Sequence, residues 1–183
     1  MTVVRRLLPD DAEEYRSLRL EALRLHPEAF GSSHAEESTR PLSSFADRIA
    51  CGYIAGGFVD GRLDAMAGLL IPAQAKSQHK GLLWGVYVRE NRRGSGVVDA
   101  VMTALLAHAT EHVEQIHLSV AATNERAIGF YRRLGFESFG TEPRALKVNG
   151  IYIDELLMVK FMDRQMSHST VPKPAPFTPT RSS

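Results

Sequence analysis

Five consecutive residues, Arg92-Arg93-Gly94-Ser95-Gly96, carry the clearest chemical signal in this 183-residue chain. Glycines let a backbone turn sharply and let a ligand approach it closely. The two arginines add positive charge. Past the turn, apolar residues recur at Val98, Val101, Met102, Leu105 and Ala109, the spacing of one helix face. A helix start offers unpaired N–H groups and the positive end of a dipole. A glycine turn feeding such a start suits an anion, most naturally a phosphate or pyrophosphate. A plain basic turn has the same composition, so the surrounding elements must decide. No Gly-Lys-Ser/Thr follows, which excludes a Walker loop, and the third glycine of a dinucleotide fingerprint is missing.

Other residues with chemical potential are scattered. Tyr131, at helical spacing, is a proton donor or a core aromatic. Glu36 and Glu37 form an acidic pair in a polar stretch, and His117 sits in an apolar run. Each of these three is more ordinary as a solvated or satisfied side chain than as a base. The single cysteine, Cys51, excludes an internal disulfide and a paired-cysteine metal site, and no metal is expected. A net charge of +1 argues against a general nucleic-acid binder. The amino-terminal residues have no leader-like apolar run and no membrane span follows, so the expectation is a cytoplasmic protein without membrane attachment.

The elements that must hold these residues read in order as follows. Thr2 to Leu8 forms a strand ended by Pro9, and Ala12 to Leu25 a helix broken at His26-Pro27. Phe30 to Arg40 is a polar loop, and Pro41 to Cys51 a second helix. Tyr53–Val59 and Leu63–Ile71 flank Asp60-Gly61, a hairpin turn. After the polar loop Pro72–Lys80 come the strand Gly81–Val88, the glycine turn and its helix. Ile116–Ala121 is a strand and Asn124–Leu134 a helix, with Gly135 placed for a left-handed cap. Phe136–Phe139 starts a strand. Ala145–Val148 and Ile151–Phe161 flank a second hairpin turn at Asn149-Gly150. The sum is one α/β (α+β) domain over residues 1–163, with a disordered Pro/Ser/Thr-rich tail over residues 164–183.

With both elements and motifs in view, the chain resembles the GNAT superfamily of acyl-CoA-dependent N-acyltransferases. Val88 to Val98 is similar to that family's Arg/Gln-x-x-Gly-x-Gly/Ala signature. Arg93, Gly94 and Gly96 are in place, and Val98 stands where Gly or Ala is usual. Asn124 to Phe136 resembles the Asn-x-x-Ala-x-x-Phe-Tyr-x-x-x-Gly-Phe segment at Asn124, Ala127, Phe130, Tyr131, Gly135 and Phe136. Both motifs in order, about thirty residues apart, are far more specific than either alone.

The resemblance implies a mixed, mostly antiparallel sheet of about seven strands flanked by about four helices. Its central parallel pair, Gly81–Val88 and Ile116–Ala121, is expected to splay. It implies acetyl-CoA as acyl donor and a primary amine acceptor, small molecule or peptide, attacking directly in a ternary complex. Backbone amides of Arg93, Gly94, Ser95, Gly96, Val97 and Val98 would hold the pyrophosphate, with Arg92 and Arg93 adding charge. Val86, Tyr87 and Val88 would meet the pantetheine arm and the thioester carbonyl, and Asn124 the arm. Tyr131 would return a proton to the CoA thiolate. Glu36 and Glu37 would favour a cationic acceptor. No carboxylate occupies Leu82–Val88, where some members carry a glutamate, so a non-catalytic acyl-CoA-binding protein of the same fold is the alternative. A homodimer is compatible with all of this.

Overall fold

The computed structural model describes residues 1–162; the expected tail lies outside them. Seven strands form a single sheet in the order β1-β2-β3-β4-β5-β7-β6. They are β1 (Thr2–Arg6), β2 (Tyr53–Val59), β3 (Arg62–Leu70), β4 (Lys80–Val88), β5 (Gln115–Ala121), β6 (Glu137–Val148) and β7 (Ile151–Phe161). Every neighbouring pair is antiparallel except β4–β5. Among the described residues there are five α-helices: α1 (Ala12–Leu25), α2 (His34–Ser38), α3 (Leu42–Cys51), α4 (Val97–His112) and α5 (Glu125–Arg133).

Strand alternation builds two cores. Ile54, Phe58, Leu63, Met66 and Tyr87 point to one face and pack under α1 and α3 through Tyr15, Leu18, Ala22, Phe45 and Ile49. Ala55, Ala65, Ala67, Leu69 and Leu83 point to the other and meet Val97, Val101, Met102, Leu105 and Ala109 of α4. Ile116, Leu118 and Val120 of β5 continue that second core toward Ile128, Tyr131 and Phe136. The small residues of β2 matter here. A side chain at Gly57 would meet Val97 Cγ2 at 2.7 Å and Val101 Cγ2 at 2.8 Å, so α4 starts close against the sheet.

Both expected hairpins form, with Asp60-Gly61 and Asn149-Gly150 all at positive φ. Two readings need correction. The stretch Phe30–Arg40 contains the helix α2. Ser33 Oγ accepts from Glu36 N (3.2 Å) and the Glu36 carboxylate accepts from Ser33 N (3.3 Å), a reciprocal cap. The two short strands around Pro143 are one strand, β6, whose register breaks between Ser138 and Gly140 and between Glu142 and Leu146. Pro143 sits in the second break, on an edge strand where a missing N–H does no harm.

The feature that matters for function is the junction of β4 and β5. Their ladder runs only through Lys80–Gln115, Gly81–Ile116 and Leu82–His117. Beyond Leu82 the two strands diverge. On its other side β4 carries a bulge: Met66 pairs with Tyr87 and Gly68 with Trp84, so Gly85 and Val86 together oppose Ala67. Gly85 adopts φ +64, which a residue with a side chain rarely takes.

Candidate active site

The divergence of β4 from β5 opens a cleft. Its walls are Leu83, Trp84, Gly85 and Val86 from β4, and Leu118, Ser119, Val120 and Ala121 from β5. Asn124, Ala127 and Tyr131 of the α5 segment close one end, and Ala29 and Phe30 cover it from the α1 side. Splaying leaves main-chain polar groups of both strands without a ladder, and buried groups of that kind demand partners. An extended amide-bearing chain satisfies them in the manner of an added strand.

Tyr131 is the one titratable side chain among the residues lining this cleft. Only 9% of it is exposed, and burial pushes its phenol well above the ordinary tyrosine range. The phenol therefore keeps its proton at neutral pH and can donate it. It packs edge-on against Phe130 (5.6 Å between ring centres) and Phe136 (5.9 Å). Asn124 caps α5, its Oδ1 accepting from Ala127 N at 3.1 Å, while it also lines the cleft.

From the bulge, β4 runs through Tyr87 and Val88 into the glycine turn. Gly94 and Gly96 have φ +76 and +81, and Gly96 is the N-cap of α4. Ser95 N and Ser95 Oγ both bond Arg92 O, which tightens the turn. The first N–H groups of α4, at Val97 and Val98, have no acceptor inside the helix. The arginines are less free than their sequence position suggests. Arg92 Nε donates to the fully buried Asp64 (2.9 Å). Arg93 donates to Glu90 Oε1 and to His26 Nε2, both at 3.0 Å. Tyr87 turns its ring into the α1 core and donates to Glu21 Oε1 (3.0 Å).

The acidic pair is divided. Glu36 caps α2 and faces solvent, whereas Glu37 is 1% exposed. Both Glu37 oxygens are taken: Arg19 reaches them through Nε (3.3 Å) and Nη2 (3.0 Å), and Arg48 through Nη1 (3.0 Å). Burial raises the Glu37 pKa, but the bonds from Arg19 and then Arg48 more than offset this and hold it below the usual range. Glu37 is therefore not the solvated loop residue the sequence suggested. His117 also falls away from the cleft lining. It lies at the base, where β4 and β5 still pair, with its ring against Phe139 and Nε2 buried without a partner among the described residues.

Sequence reasoning missed Arg19, Phe30, Trp84 and the bulge at Gly85. Arg19 had a signal, since it shares the inward face of α1 with Tyr15, Leu18 and Ala22. Gly85, a lone glycine inside a strand pattern, had one too. Next to the cleft is a second cavity of about 540 Å³, lined by Pro27, Glu28, Ala122, Thr123 and, from the last hairpin, residues 148–149 and 151–154. Its neighbours in sequence, Ala29 and Ala121, line the cleft.

This arrangement matches known proteins. Two curated relatives, L-methionine sulfoximine/L-methionine sulfone acetyltransferases of Pseudomonas aeruginosa and Pseudomonas paraeruginosa, are each 36% identical over 81 residues. That stretch is 43% of this chain and 46% of each relative, so it spans about half their length. A GNAT-family acetyltransferase from Streptococcus pneumoniae superposes with a TM-score of 0.78 at 18% identity, over 88% of this chain and 99% of that one. A protein from Salmonella typhimurium solved with its cofactor acetyl-CoA gives 0.75 at 15% identity, over 96% and 99%. The family model "Acetyltransferase (GNAT) family" matches residues 15–136, the span from α1 to the end of the tyrosine-bearing motif, and the chain belongs to that family.

Proposed function

We propose that the protein transfers an acetyl group from acetyl-CoA to a primary amine. The observation that carries this reading is the opened β4–β5 pair, with a bulge on one wall and Tyr131 on the other. The residues present fit the donor. Main-chain groups of Val86 to Val88 would receive the amide-bearing arm, and Asn124 would flank it. The amides of Gly94 to Val98 would hold the pyrophosphate. Arg92 acts here mainly by tying the turn to Asp64 rather than as a free cation.

When bound, acetyl-CoA supplies an activated acyl group. The chain's own residues do the rest. Gly85 and Val86 have no register partner on β3, so this backbone is available as a preset donor where negative charge develops on an acyl oxygen. Tyr131, which burial keeps protonated at Oη, would deliver that proton to a departing thiolate. Phe30, Trp84 and Leu118 supply apolar surface to a cleft whose lining is otherwise largely polar. The acceptor would enter through the neighbouring cavity, which Glu28 and Asp154 help to line. An amine of pKa about 10 must lose a proton before attack, and no base lines the cleft itself. Water reached through that cavity supplies the route. The acceptors for which the Pseudomonas relatives are named, methionine sulfoximine and methionine sulfone, are small molecules carrying an amine, which supports a small acceptor.

Calorimetric titration with acetyl-CoA, against CoA and ATP, tests the donor. Binding of acetyl-CoA with negligible ATP binding is expected; absence of acetyl-CoA binding overturns the reading. Tyr131→Phe should lower kcat by about 100-fold while leaving acetyl-CoA affinity intact. An unchanged kcat removes Tyr131 from the mechanism.

A further inference from the structure

The cluster of Arg19, Glu37 and Arg48 has two cations and one carboxylate, with Arg19 and Glu37 buried and the Arg48 side chain 22% exposed. Arg19 is 4% exposed and Glu37 1%. The nearby Tyr15 phenol adds no negative charge, because burial holds it protonated. A buried excess positive charge is costly unless an anion meets it. Arg19 is also held in one orientation: its Nε and Nη2 grip the two Glu37 oxygens, and Phe30 lies under the guanidinium at 5.1 Å. That leaves Nη1, which has no hydrogen-bond partner among the described residues. Nη1 faces the bulge, where a Cβ placed on Gly85 would stand 3.7 Å from it. Gly85 and Phe30 both line the cleft.

We propose that Arg19 Nη1 receives the carboxylate of the acceptor, and that the acceptor is therefore a free amino acid or a close analogue, not an amine lacking an acid group. This rests on the acetyl-transfer reading. Glu37 fixes the guanidinium, Gly85 leaves room for an oxygen beside it, and the acceptor carboxylate completes the charge balance of the cluster. The acidic pair seen in the sequence thus works opposite to its sign. Glu37 does not attract a cation; it holds one in place for an anion. A peptide amino terminus, whose carbonyl is an amide, lacks the group this site is built to meet.

The test uses the full chain with CoA present and three probes: L-methionine sulfone, its carboxamide, and the amine obtained by removing its carboxyl group. Calorimetry measures binding of each, and thiol release from acetyl-CoA measures turnover. The free acid is expected to bind and react at least about 100-fold better than either probe without a carboxylate. Arg19→Met alone would leave Glu37 Oε1 buried without a donor, since Arg48 bonds only Oε2, so the variant of choice is Arg19→Met with Glu37→Gln, its folding checked by circular dichroism. In that variant the preference for the acid over the carboxamide should collapse toward unity, chiefly through KM. Equal handling of the three probes by the wild type overturns the proposal, as does an acid preference that survives the double change. Because binding is read without turnover, acid-selective binding in an inactive protein supports Arg19 while counting against acetyl transfer. Acetyl transfer to all three probes alike does the reverse.

Discussion

Two carboxylates among the described residues are sealed from water, Asp64 at 0% exposure and Glu37 at 1%, and both are held by arginines. They differ in what surrounds those arginines. Asp64 meets Arg62, Arg89 and Arg92, and two of these also reach other acids: Arg89 bonds Glu21 and Arg92 lies 3.8 Å from Asp60. Among the side chains alone three cations face three carboxylates, with Asp60 shared between Arg92 and the terminal ammonium, which lies 2.6 Å from it. The product of this cluster is a fixed path for the chain leaving β4, since Arg89 N also donates to Asp64 O (3.0 Å). Glu37 has two arginines, one of them with a side chain only 5% exposed, and no second acid among the described residues. The same chemical motif thus serves as a closed brace beside the glycine turn and as an open one beside the β4–β5 cleft. Charge count, not burial, tells them apart.

The sharpest way to break this comparison is to neutralise each acid in turn. Glu37→Gln should destabilise the fold by about 3–5 kcal/mol, because Arg19 stays buried with its charge unmet. Urea denaturation reads this directly, and a loss near zero would mean that Arg19 escapes to water and that the two clusters are alike. Asp64→Asn should cost less, about 1–3 kcal/mol, since the Arg62 and Arg92 side chains are already 55% and 33% exposed. It should also weaken CoA binding by loosening the turn that Arg92 anchors, an effect Glu37→Gln should not show. Acidification gives a smaller effect of defined sign. The folded Glu37 carboxyl lies below its unfolded value of about 4.3, so its contribution is complete above that pH and disappears as pH falls through the folded value. Asp11, lowered by its bond from Arg5, adds a similar slope. The measurement is therefore the difference between wild type and Glu37→Gln, which should shrink as pH drops. Smallest of all, Asn124→Ala should cost about 1 kcal/mol through the lost cap on α5 and leave both clusters untouched.

The fold was legible because its signals are local. Asp60-Gly61 and Asn149-Gly150 announce hairpins wherever they stand, and the apolar spacing of α4 and α5 needs no partner to be read. The helix α2 was missed although Ser33 and Glu36 spell a capping box, because five residues are too few for periodicity to register. The candidate site divides the same way. The glycine turn and Tyr131 belong to contiguous motifs. The Arg19–Glu37–Arg48 cluster joins residues 11 and 18 positions apart on three helices. Its members look like surface charges until packing removes the water from them. Likewise Arg92 looked available for phosphate, and only the fold brings Asp64, 28 positions upstream, to its Nε.

The three-residue ladder between β4 and β5 has a mechanical consequence. On one side of it, β1 to β4 form a slab backed by α4 and braced across by α1 and α3. On the other, β5, β7 and β6 form a second slab joined through long antiparallel ladders. Only Lys80, Gly81 and Leu82 stitch the slabs together by strand pairing. The molecule is built like a pair of tongs whose pivot lies at the base of the cleft and whose tips carry Trp84 and Tyr131. A rotation of a few degrees there changes the gap at the tips, and it must shear the α4-side core, which runs on from Leu83 to Ile116, Leu118 and Val120 across the pivot. Jaw width then becomes a quantity that the clasped molecule itself sets, and amide exchange along Leu83–Val86 and Leu118–Ala121 is where that grip should register.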